Sequence, residues 1–468
     1  MNAEPVASRD FEPLRVDDLD QVRWDDSADV IVVGLGGAGV AAALQALECG
    51  ADTLAVDRFA GGGATAYSGG VIYAGGTRYQ RESGFDDTPE QMFRYLSAEG
   101  SAVGPETLRR FCEGSAADLD WLDAHGVPHG ANAFTDKTNY PPDGYWIYYS
   151  GNEKHPDYEA VARPAPRGHR VRTSGFGGRM HFDKLRESAL ARGLRVLQHA
   201  PVERLVVDGQ GRVVGVEVNA LPEPLWKRHQ ALYDVISPWR PFIGERAERA
   251  IAECAELERG STTRRLLRAR RGVVLASGGF IYNLEALRAQ NATLANNYRN
   301  LLRLGSMGDD GSGLELGRSV GGTTALMDRI CVARIVAPPN VFPRGLIVNA
   351  DGRRFINEDA YAFVVGEAVA QQPREGQAWL ILEGPDFWKG LRQSIWPGKG
   401  LFLLWGAPAL INILLGGTRR ARSLAALARK CGIDAPGLER TVAEHNARVA
   451  AGTTDPLGKF RELMLQGR

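Results

Sequence analysis

Three glycines near the N-terminus have the spacing of a dinucleotide-binding turn. Gly34, Gly36 and Gly39 follow an apolar run rich in β-branched residues, Ala28–Val33, and precede a run of helix formers, Val40–Cys49. In such a strand–turn–helix unit the first glycine makes the tight turn, the second lets the backbone approach a pyrophosphate and the third lets the helix pack on the strand. The helix N-terminus then offers free N–H groups to the phosphates. The sequence therefore predicts a dinucleotide site, rather than a glycine turn without a ligand.

An acidic residue follows the second strand of this unit. Asp57 lies 23 residues after Gly34 and ends the predicted strand Thr53–Val56. A carboxylate at this place accepts hydrogen bonds from ribose hydroxyls and repels a 2′-phosphate. The unit predicts NAD or FAD as the ligand, and by itself it does not distinguish between the two.

Two further glycine turns favour the longer ligand. Gly61–Gly70 combines glycines with hydroxyl side chains, and a buried-strand pattern at Arg271–Gly279 ends in a second turn, Ala276–Gly279. Glycine lets the backbone adopt unusual conformations and approach a ligand closely. A loop of this kind can wrap the pyrophosphate of a long ligand and reach its far ring, which an NAD site rarely needs. These turns favour FAD.

The elements that position these turns follow an α/β pattern. Leu194–His199 is a candidate strand, and Val202–Asp208 and Val213–Val218 alternate in hydrophobicity around a glycine turn, which is typical of a hairpin. Leu266–Ala269 is predicted to be the third strand of this meander. The charged and aromatic residues 220–263 have helical character and are predicted to be an insertion into the meander.

Composition and charge exclude several classes of protein. The 468 residues include 56 glycines without a Gly-X-Y period, which excludes collagen, and 44% hydrophobic residues, which excludes wholesale disorder. Basic and acidic residues number 56 each, which argues against a nucleic-acid binder. The scattered cysteines and the histidines form no disulfide framework or zinc motif; the cysteines are Cys49, Cys112, Cys254, Cys331 and Cys431. The N-terminus has no apolar core, so a cytoplasmic protein is expected.

Five stretches of the chain carry a resemblance to a known family. They are Ser27–Ala51, Gly61–Thr77, Ala165–His169, Arg271–Phe280 and Gly345–Tyr361. These segments resemble the fumarate reductase and succinate dehydrogenase flavoproteins, and within that family they are most similar to the bacterial 3-ketosteroid dehydrogenases of Δ1 and Δ4-(5α) types. The resemblance implies a Rossmann-like α/β FAD-binding domain with a central parallel sheet and a β-meander, plus an α+β catalytic or capping domain. It places a lead-in at 1–27, the FAD-binding domain at 28–283 and the capping domain at 284–468.

The resemblance also implies which residues bind FAD. The glycine turns, the acid that follows the second strand, the start of the meander and a later aspartate all have counterparts in the family. The implied residues are Gly34, Gly36, Gly39, Asp57, Arg58, Gly62, Gly63, Ala64, Thr65, Ser68, Gly69, Gly70, Val202, Ser277, Gly278 and Asp310.

A tyrosine is implied as the catalytic base. The family removes or adds two hydrogens next to a carbonyl or carboxylate, with the proton going to a base and hydride to the flavin. Tyr361 matches the position of the family's catalytic tyrosine, and Tyr149 falls where the steroid branch also has one. A phenol needs nearby positive charge or donors to act as a base, and Arg353 and Arg354 are candidates in the sequence. The alternative is that Tyr361 is an ordinary half-buried aromatic residue.

The substrate is expected to be a steroid. The aromatic run Tyr140–Tyr149 suits a flat apolar substrate, with a loop packed on the core as the alternative, and Arg167 and His169 are expected to order this region. A fumarate-reductase-like flavoprotein acting on a small unsaturated acid is the second hypothesis, although no histidine segment here resembles the one that grips dicarboxylates. The electron acceptor is not identified by the sequence.

Two C-terminal features qualify this interpretation. Nothing after Tyr361 resembles the segment with which the family returns to the FAD domain, so a truncated or non-catalytic FAD-fold protein is the third hypothesis. The uncharged stretch 401–417 is shorter than a membrane-spanning helix and is flanked by Lys399 and by Arg419, Arg420 and Arg422. It is predicted to be a buried core helix or a surface for peripheral membrane contact.

Overall fold

The computed structural model describes residues 11–136, 138–236, 244–260, 262–296, 304–337, 339–396, 402, 406–415, 417–459 and 463–464. The strands are β1 Leu14–Val16, β2 Asp26–Val33, β3 Thr53–Val56, β4 Val71–Tyr73, β5 Ala133–Phe134, β6 Ile147–Tyr148, β7 Gly168–Arg170, β8 Arg195–Leu197, β9 Val202–Asp208, β10 Val213–Ala220, β11 Thr263–Leu275, β12 Leu346–Val348 and β13 Trp379–Ile381. The helices are α1 Gly37–Glu48, α2 Gly63–Tyr67, α3 Arg78–Glu82, α4 Pro89–Glu99, α5 Pro105–Ala124, α6 Pro156–Glu159, α7 Gly178–Ala191, α8 Glu223–Val235, α9 Gly244–Gly260, α10 Leu284–Gln290, α11 Ala292–Asn296, α12 Ser312–Ser319, α13 Ala362–Ala370, α14 Pro373–Gly376, α15 Gly384–Ile395, α16 Ala407–Leu415, α17 Leu424–Cys431 and α18 Ala435–Ala451. Within these residues, every helix is too short or too polar to cross a membrane.

The chain divides into two compact units, each made of several stretches of sequence. Unit 1 comprises Met1–Gly70, Ala124–Val127 and Gly177–Arg329, and unit 2 comprises Val71–Asp123, Pro128–Phe176 and Ile330–Arg468. Two stretches from the N-terminal half of the chain therefore group with the C-terminal residues. The domain boundary at 283/284 stays a prediction.

A mixed sheet forms the centre of unit 1. Its order in the described residues is β1-β9-β10-β11-β2-β3-β8. The run β11-β2-β3-β8 is parallel, as the dinucleotide-binding pattern predicts, and β9, β10 and β11 form the antiparallel meander. Buried apolar residues from both parts, including Ile31, Leu54 and Val216, share one core. The predicted α/β class is thereby confirmed.

The strand β11 joins the two parts of this sheet. The sequence predicts two strands here, Leu266–Ala269 and Arg271–Gly279, but Thr263–Leu275 is one strand of 13 residues. It pairs antiparallel with β10 and parallel with β2, and its register with β2 shifts between Ala269 and Gly272. The arginines in its middle hide this continuity, because they interrupt the apolar pattern that marks a buried strand.

The predicted lead-in contains a further strand. β1 pairs in parallel with β9 through Leu14↔Val206 and Val16↔Asp208. A strand of three residues at a sheet edge is too short to show hydrophobic periodicity, so the sequence does not reveal it.

The predicted insertion into the meander is a pair of helices. α8 and α9 occupy this segment, and residues 237–243 between them lie outside the described residues. Their inner faces share an apolar core with Phe59, Tyr282 and Met307.

Unit 2 carries two small sheets and a set of helices. The strands β4, β7, β6 and β5 form one sheet, and β12 and β13 pair as an antiparallel ladder. α13 packs Val365 and Val369 against Ile347 of β12. α16 covers the described part of the uncharged stretch 401–417, of which residues 401, 403–405 and 416 lie outside the described residues.

Candidate active site

The glycine turn after β2 has the backbone geometry that its sequence predicts. Gly34 has a φ of +92°, and a Cβ added there would come within 2.6 Å of the Ala276 carbonyl oxygen. A Cβ at Gly39 would collide with the Gly34 carbonyl oxygen. Only glycine allows this close approach of turn, helix and neighbouring strand.

Gly36 keeps part of the floor of a cavity free of side chains. A Cβ added to Gly36 would meet only the backbone of the second glycine loop, with the Gly63 Cα 3.9 Å away. The helix α1 begins at Gly37 without an acidic residue in its first turn, and the Thr65 hydroxyl accepts a hydrogen bond of 3.2 Å from the Gly37 N–H. A bare backbone floor beside a helix N-terminus fits a ligand that carries phosphate groups.

The cavity above this floor has a volume of about 380 Å³ and lies within unit 1. It is enclosed by the glycine turns, the end of β3, the start of β9 and the segment before α12. The lining residues are Val33, Gly34, Gly36, Gly37, Ala38, Val56, Asp57, Arg58, Phe59, Gly63, Ala64, Thr65, Ala200, Pro201, Val202, Tyr233, Leu275, Ala276, Ser277, Gly278, Ser306, Gly308, Asp309, Ser312, Gly313, Leu314 and Leu316.

The acid at the end of β3 is held by backbone donors. One Asp57 carboxylate oxygen accepts a hydrogen bond of 2.7 Å from the Leu35 N–H, and the other accepts one of 2.7 Å from the Phe59 N–H. Burial raises the pKa of the Asp57 carboxyl above its ordinary value, and these hydrogen bonds oppose the shift. The carboxylate is therefore fixed in orientation, with lone pairs left to accept from ribose hydroxyls.

The next residue is fixed by two carboxylates. Arg58 donates to both oxygens of Glu258, at 2.6 and 2.9 Å, and to Asp310 at 2.9 Å. Burial lowers the pKa of Arg58, but these carboxylates outweigh that effect and hold its pKa above the ordinary value. Asp310 also accepts from the Ser312 N–H at 2.9 Å and so fixes the start of α12.

The turn after β11 is organised by a neighbouring acid. Gly278 has a φ of +84°, and the Asp309 carboxylate accepts hydrogen bonds from the Gly279 N–H at 2.9 Å and the Ser306 N–H at 2.6 Å. Asp309 therefore ties the predicted turn to the segment before α12.

The structure brings most of the predicted cofactor residues together. Those in the cavity lining are Gly34, Gly36, Asp57, Arg58, Gly63, Ala64, Thr65, Val202, Ser277 and Gly278. The others do not line the cavity, although several of them contact lining residues, and they are Gly39, Gly62, Ser68, Gly69, Gly70 and Asp310. The Ser68 hydroxyl, for example, donates to the Thr65 carbonyl at 2.8 Å and accepts from the Gly70 N–H at 3.1 Å. Sequence reasoning missed Phe59, Tyr233, Ser306 and Asp309. Asp309 lies in the turn Gly308–Gly311 next to the implied Asp310, whereas Phe59 and Tyr233 lie outside any glycine motif.

A family model described as FAD binding domain matches residues 29–462. The chain belongs to this family. Its cofactor is FAD, and the bare glycine floor, the fixed Asp57 carboxylate and the neighbouring helix N-termini fit that cofactor. The family and its relatives make the chain an FAD-dependent oxidoreductase.

Three similar proteins refine this assignment. The 3-oxo-5-alpha-steroid 4-dehydrogenase of Comamonas testosteroni is 38% identical over 462 residues, which cover 97% of this chain and 85% of that protein. The 3-oxosteroid 1-dehydrogenase of Mycolicibacterium smegmatis is 26% identical and covers 91% and 79%, respectively. The crystal structure of 3-ketosteroid-Δ4-(5α)-dehydrogenase from Rhodococcus jostii RHA1, in complex with 4-androstene-3,17-dione, has a TM-score of 0.79 at 30% identity and covers 97% and 84%. The predicted resemblance to this FAD family and its steroid branch is confirmed.

The tyrosine that the FAD family implies as the base lies in unit 2, before α13. The Tyr361 N–H donates to the Asn152 amide oxygen at 2.6 Å. Burial, together with Glu99, Cys331 and Glu153, raises the pKa of Tyr361 to about 12. The resting side chain is therefore a neutral phenol at physiological pH.

The arginines near Tyr361 in sequence are not its partners. Arg354 donates to Glu358 at 2.8 and 3.0 Å and to Asp455 at 2.6 Å, and Arg353 is exposed. The pKa of Tyr361 is raised mainly by burial, and the nearby groups Glu99, Cys331 and Glu153 raise it further.

Tyr149 is buried beside a lysine. Its ring lies 4.4 Å from the Lys154 ammonium, and burial raises the pKa of its phenol to about 12. The neighbouring Tyr148 interacts electrostatically with Tyr361. Burial and the phenols of Tyr140 and Tyr361 raise the pKa of Tyr148 well above its ordinary value. Tyr148 belongs to the aromatic run Tyr140–Tyr149, of which the family resemblance singles out only Tyr149.

The expected ordering role of Arg167 and His169 agrees with their contacts. Arg167 forms a buried bidentate pair with Asp87, with both bonds at 2.8 Å. The His169 ring contacts the Thr77 hydroxyl and the Arg167 carbonyl, each at 2.8 Å, and burial lowers its pKa to about 4.

Proposed function

We propose that this chain catalyses the FAD-dependent dehydrogenation of a 3-ketosteroid at the 4,5 bond. The observation that carries the proposal is the 38% identity, over 97% of the chain, to a 3-oxo-5-alpha-steroid 4-dehydrogenase. The steroid in the similar Rhodococcus structure and the buried aromatic residues Tyr140, Tyr148 and Tyr149 support an apolar substrate.

In this proposal the chain supplies a base and a cofactor site. When FAD is bound, its chemistry would be that of an acceptor for the hydride on the carbon β to the ketone. Tyr361 takes the acidic proton from the α carbon as its phenolate, formed when the phenol has lost its own proton to solvent, and Asn152 holds the Tyr361 backbone. Tyr149, proposed as the second catalytic tyrosine, and Tyr148 supply aromatic surface near this segment. The glycine floor and Asp57 hold the cofactor in unit 1.

Anaerobic reduction of the bound flavin tests this function. A 5α-3-ketosteroid is expected to bleach the flavin band and to yield the 4-ene product. Bleaching by a 4-ene-3-ketosteroid with a 1,4-diene product would instead assign the Δ1 reaction. Failure of both steroids, combined with reoxidation of the chemically reduced flavin by fumarate, would favour the small-acid hypothesis. A purified chain that does not take up FAD would favour the non-catalytic hypothesis.

We also propose that the stretch 401–417 and its neighbours contact a lipid surface. Within the described residues, Trp396 is 82% exposed, Leu414 is 69% exposed and Phe402 is 41% exposed. Exposed basic side chains lie nearby at Arg419, Arg420 and Arg422. Apolar side chains beside basic ones are typical of peripheral binding to anionic membranes, where a steroid substrate also partitions.

A further inference from the structure

The helix pair α8–α9 is attached to the cofactor cavity by buried polar groups. His229 on α8 is fully buried, and Glu258 on α9 is 5% exposed. The His229 Nε2 lies 3.1 Å from the Glu258 carboxylate, which also holds Arg58 through two bonds. His199 lies just before the meander, with its Nδ1 3.0 Å from the His229 Nδ1. Arg58, Glu258, His229 and His199 thus form a row of polar side chains.

The two imidazole rings share one hydrogen bond between their Nδ1 atoms, so one ring donates there and the other accepts. Burial together with His229 lowers the pKa of His199 to about 4. The His229 Nε2 is directed at the Glu258 carboxylate, which forms the ion pair with the Arg58 guanidinium.

These groups also meet the distance requirement of a metal site, but their bonds favour an ion pair. The ligand atoms of His229, Cys254 and Glu258 lie within 4.8 Å of one another. Both carboxylate oxygens of Glu258, however, are bonded to Arg58, and a guanidinium would repel a divalent cation at that distance. The row therefore acts as a support for Arg58.

The side chains next to this row of polar groups line the cofactor cavity. Arg58, Phe59 and Tyr233 all line it. The Phe59 ring stacks on the His229 ring at 4.8 Å and contacts the Tyr233 ring at 4.4 Å. These residues lie beside Asp57, the acid that a Rossmann-type site places at the adenosine ribose.

We propose that α8–α9 is a clasp for the adenosine half of FAD, and that Glu258 and His229 are positioning residues that hold Arg58 in the wall of the cavity. Tyr233 forms the second part of that wall. The clasp depends on the cofactor and not on which substrate is turned over, so its test is separate from that of the steroid reaction.

The double variant Arg58→Met/Glu258→Gln removes the Arg58–Glu258 ion pair without leaving a charge at position 258, and the glutamine can still accept from His229. Asp310, whose side chain is 26% exposed, loses its bond to Arg58 but keeps access to solvent. We expect dissociation constants for FAD and for ADP, measured on the apoprotein by flavin fluorescence and competition, to rise by the same factor of about ten or more. The matched control is Glu253→Gln on the same helix, where Glu253 is exposed and lies 3.7 Å from Arg228. The melting temperature of the apoprotein separates loss of fold from loss of the clasp.

Unchanged dissociation constants with an intact melting temperature would overturn the proposal. A stoichiometric metal in the purified protein that the double variant loses would also overturn it in favour of a metal site. If the double variant does not fold, Tyr233→Leu tests the proposal instead. Leucine keeps apolar volume in the core but removes the aromatic ring from the wall of the cavity. Weaker binding of both FAD and ADP is then expected, and wild-type binding would refute the clasp.

Discussion

The amide of Asn152 holds the backbone of Tyr361, which follows it by 209 residues. The Asn152 oxygen accepts from the Tyr361 N–H at 2.6 Å, and the Asn152 Nδ2 donates to Glu99 at 2.8 Å. Tyr361 directly precedes α13, so this bond fixes the start of the helix and the backbone position from which the Tyr361 side chain extends. The proposed base is thus positioned by a loop from a distant part of unit 2.

Asn152→Ala is expected to lower kcat about fivefold, because one hydrogen bond of about 1 kcal/mol no longer fixes the Tyr361 backbone. FAD affinity is expected to stay at the wild-type value, because Asn152 belongs to unit 2 and the cofactor cavity to unit 1. Steady-state kinetics with a 3-ketosteroid and a flavin titration measure the two effects. A variant with wild-type kcat would show that this bond has no positioning role.

Tyr361→Phe is expected to abolish steroid turnover while FAD stays bound. Since the pKa of Tyr361 is raised to about 12, the phenolate fraction grows about tenfold per pH unit through the neutral range, and the wild-type kcat/KM should grow with it. A flat pH profile, or turnover by the phenylalanine variant, would remove Tyr361 from the mechanism.

Glu99→Gln is expected to move this pH profile towards lower pH. The Glu99 carboxylate raises the pKa of Tyr361, and its removal leaves an amide that can still accept from Asn152. Glu106→Gln, on the exposed surface of α5, is the matched control. The measurement is the pH dependence of kcat/KM between pH 6 and 9 for the wild type and the two variants. Superimposable profiles would contradict the coupling.

Gly36→Ala is expected to weaken FAD binding by about tenfold or more without unfolding the protein. The added Cβ has no protein atom closer than 3.9 Å, so it fits the fold and occupies the cavity floor. Gly209→Ala, in the hairpin turn where an added Cβ meets nothing within 4 Å, is the control. Equal FAD affinities in the two variants would show that the cofactor does not approach this floor.

Acid is expected to destabilise the fold through His169. The pKa of His169 is lowered from 6.5 to about 4, so between these pH values the unfolded chain binds a proton that the folded chain does not bind. The contribution of His169 to the free energy of unfolding is therefore fully present above pH 6.5 and is lost as the pH falls towards 4. Relative to His169→Gln, the wild type should lose about 2 kcal/mol more in free energy of unfolding between pH 7 and pH 5. Denaturant titrations at both pH values measure this difference, and equal losses would contradict it.

Leu414→Glu is expected to reduce binding to anionic lipid vesicles, because it places a charge in the exposed part of α16. Vesicle sedimentation with anionic and with neutral lipid measures the effect. Glu439→Gln on α18, at an exposed position, is the control. Absence of wild-type binding to either vesicle would refute the proposed lipid surface.

The backbone turns that carry the predicted cofactor residues could be predicted because their signals are local. The turn Gly34–Gly39 needs particular backbone angles and close approaches within about one βαβ unit, and glycine is the residue that permits them. The meander and the helical insertion were likewise predicted from short-range periodicity. The continuity of β11 was missed, because arginines interrupt its pattern where it passes between two partner strands.

The sequence by itself determined the family, the cofactor and the residues of the glycine turns, since motif spacing and local propensity follow directly from the order of residues. Only the tertiary structure decided which distant side chains complete these sites. Glu258 supports Arg58 across 200 residues and Asn152 holds Tyr361 across 209. Such pairs depend on how helices and strands pack, and a single polar contact between residues about 200 positions apart leaves no periodic or short-range pattern in the sequence.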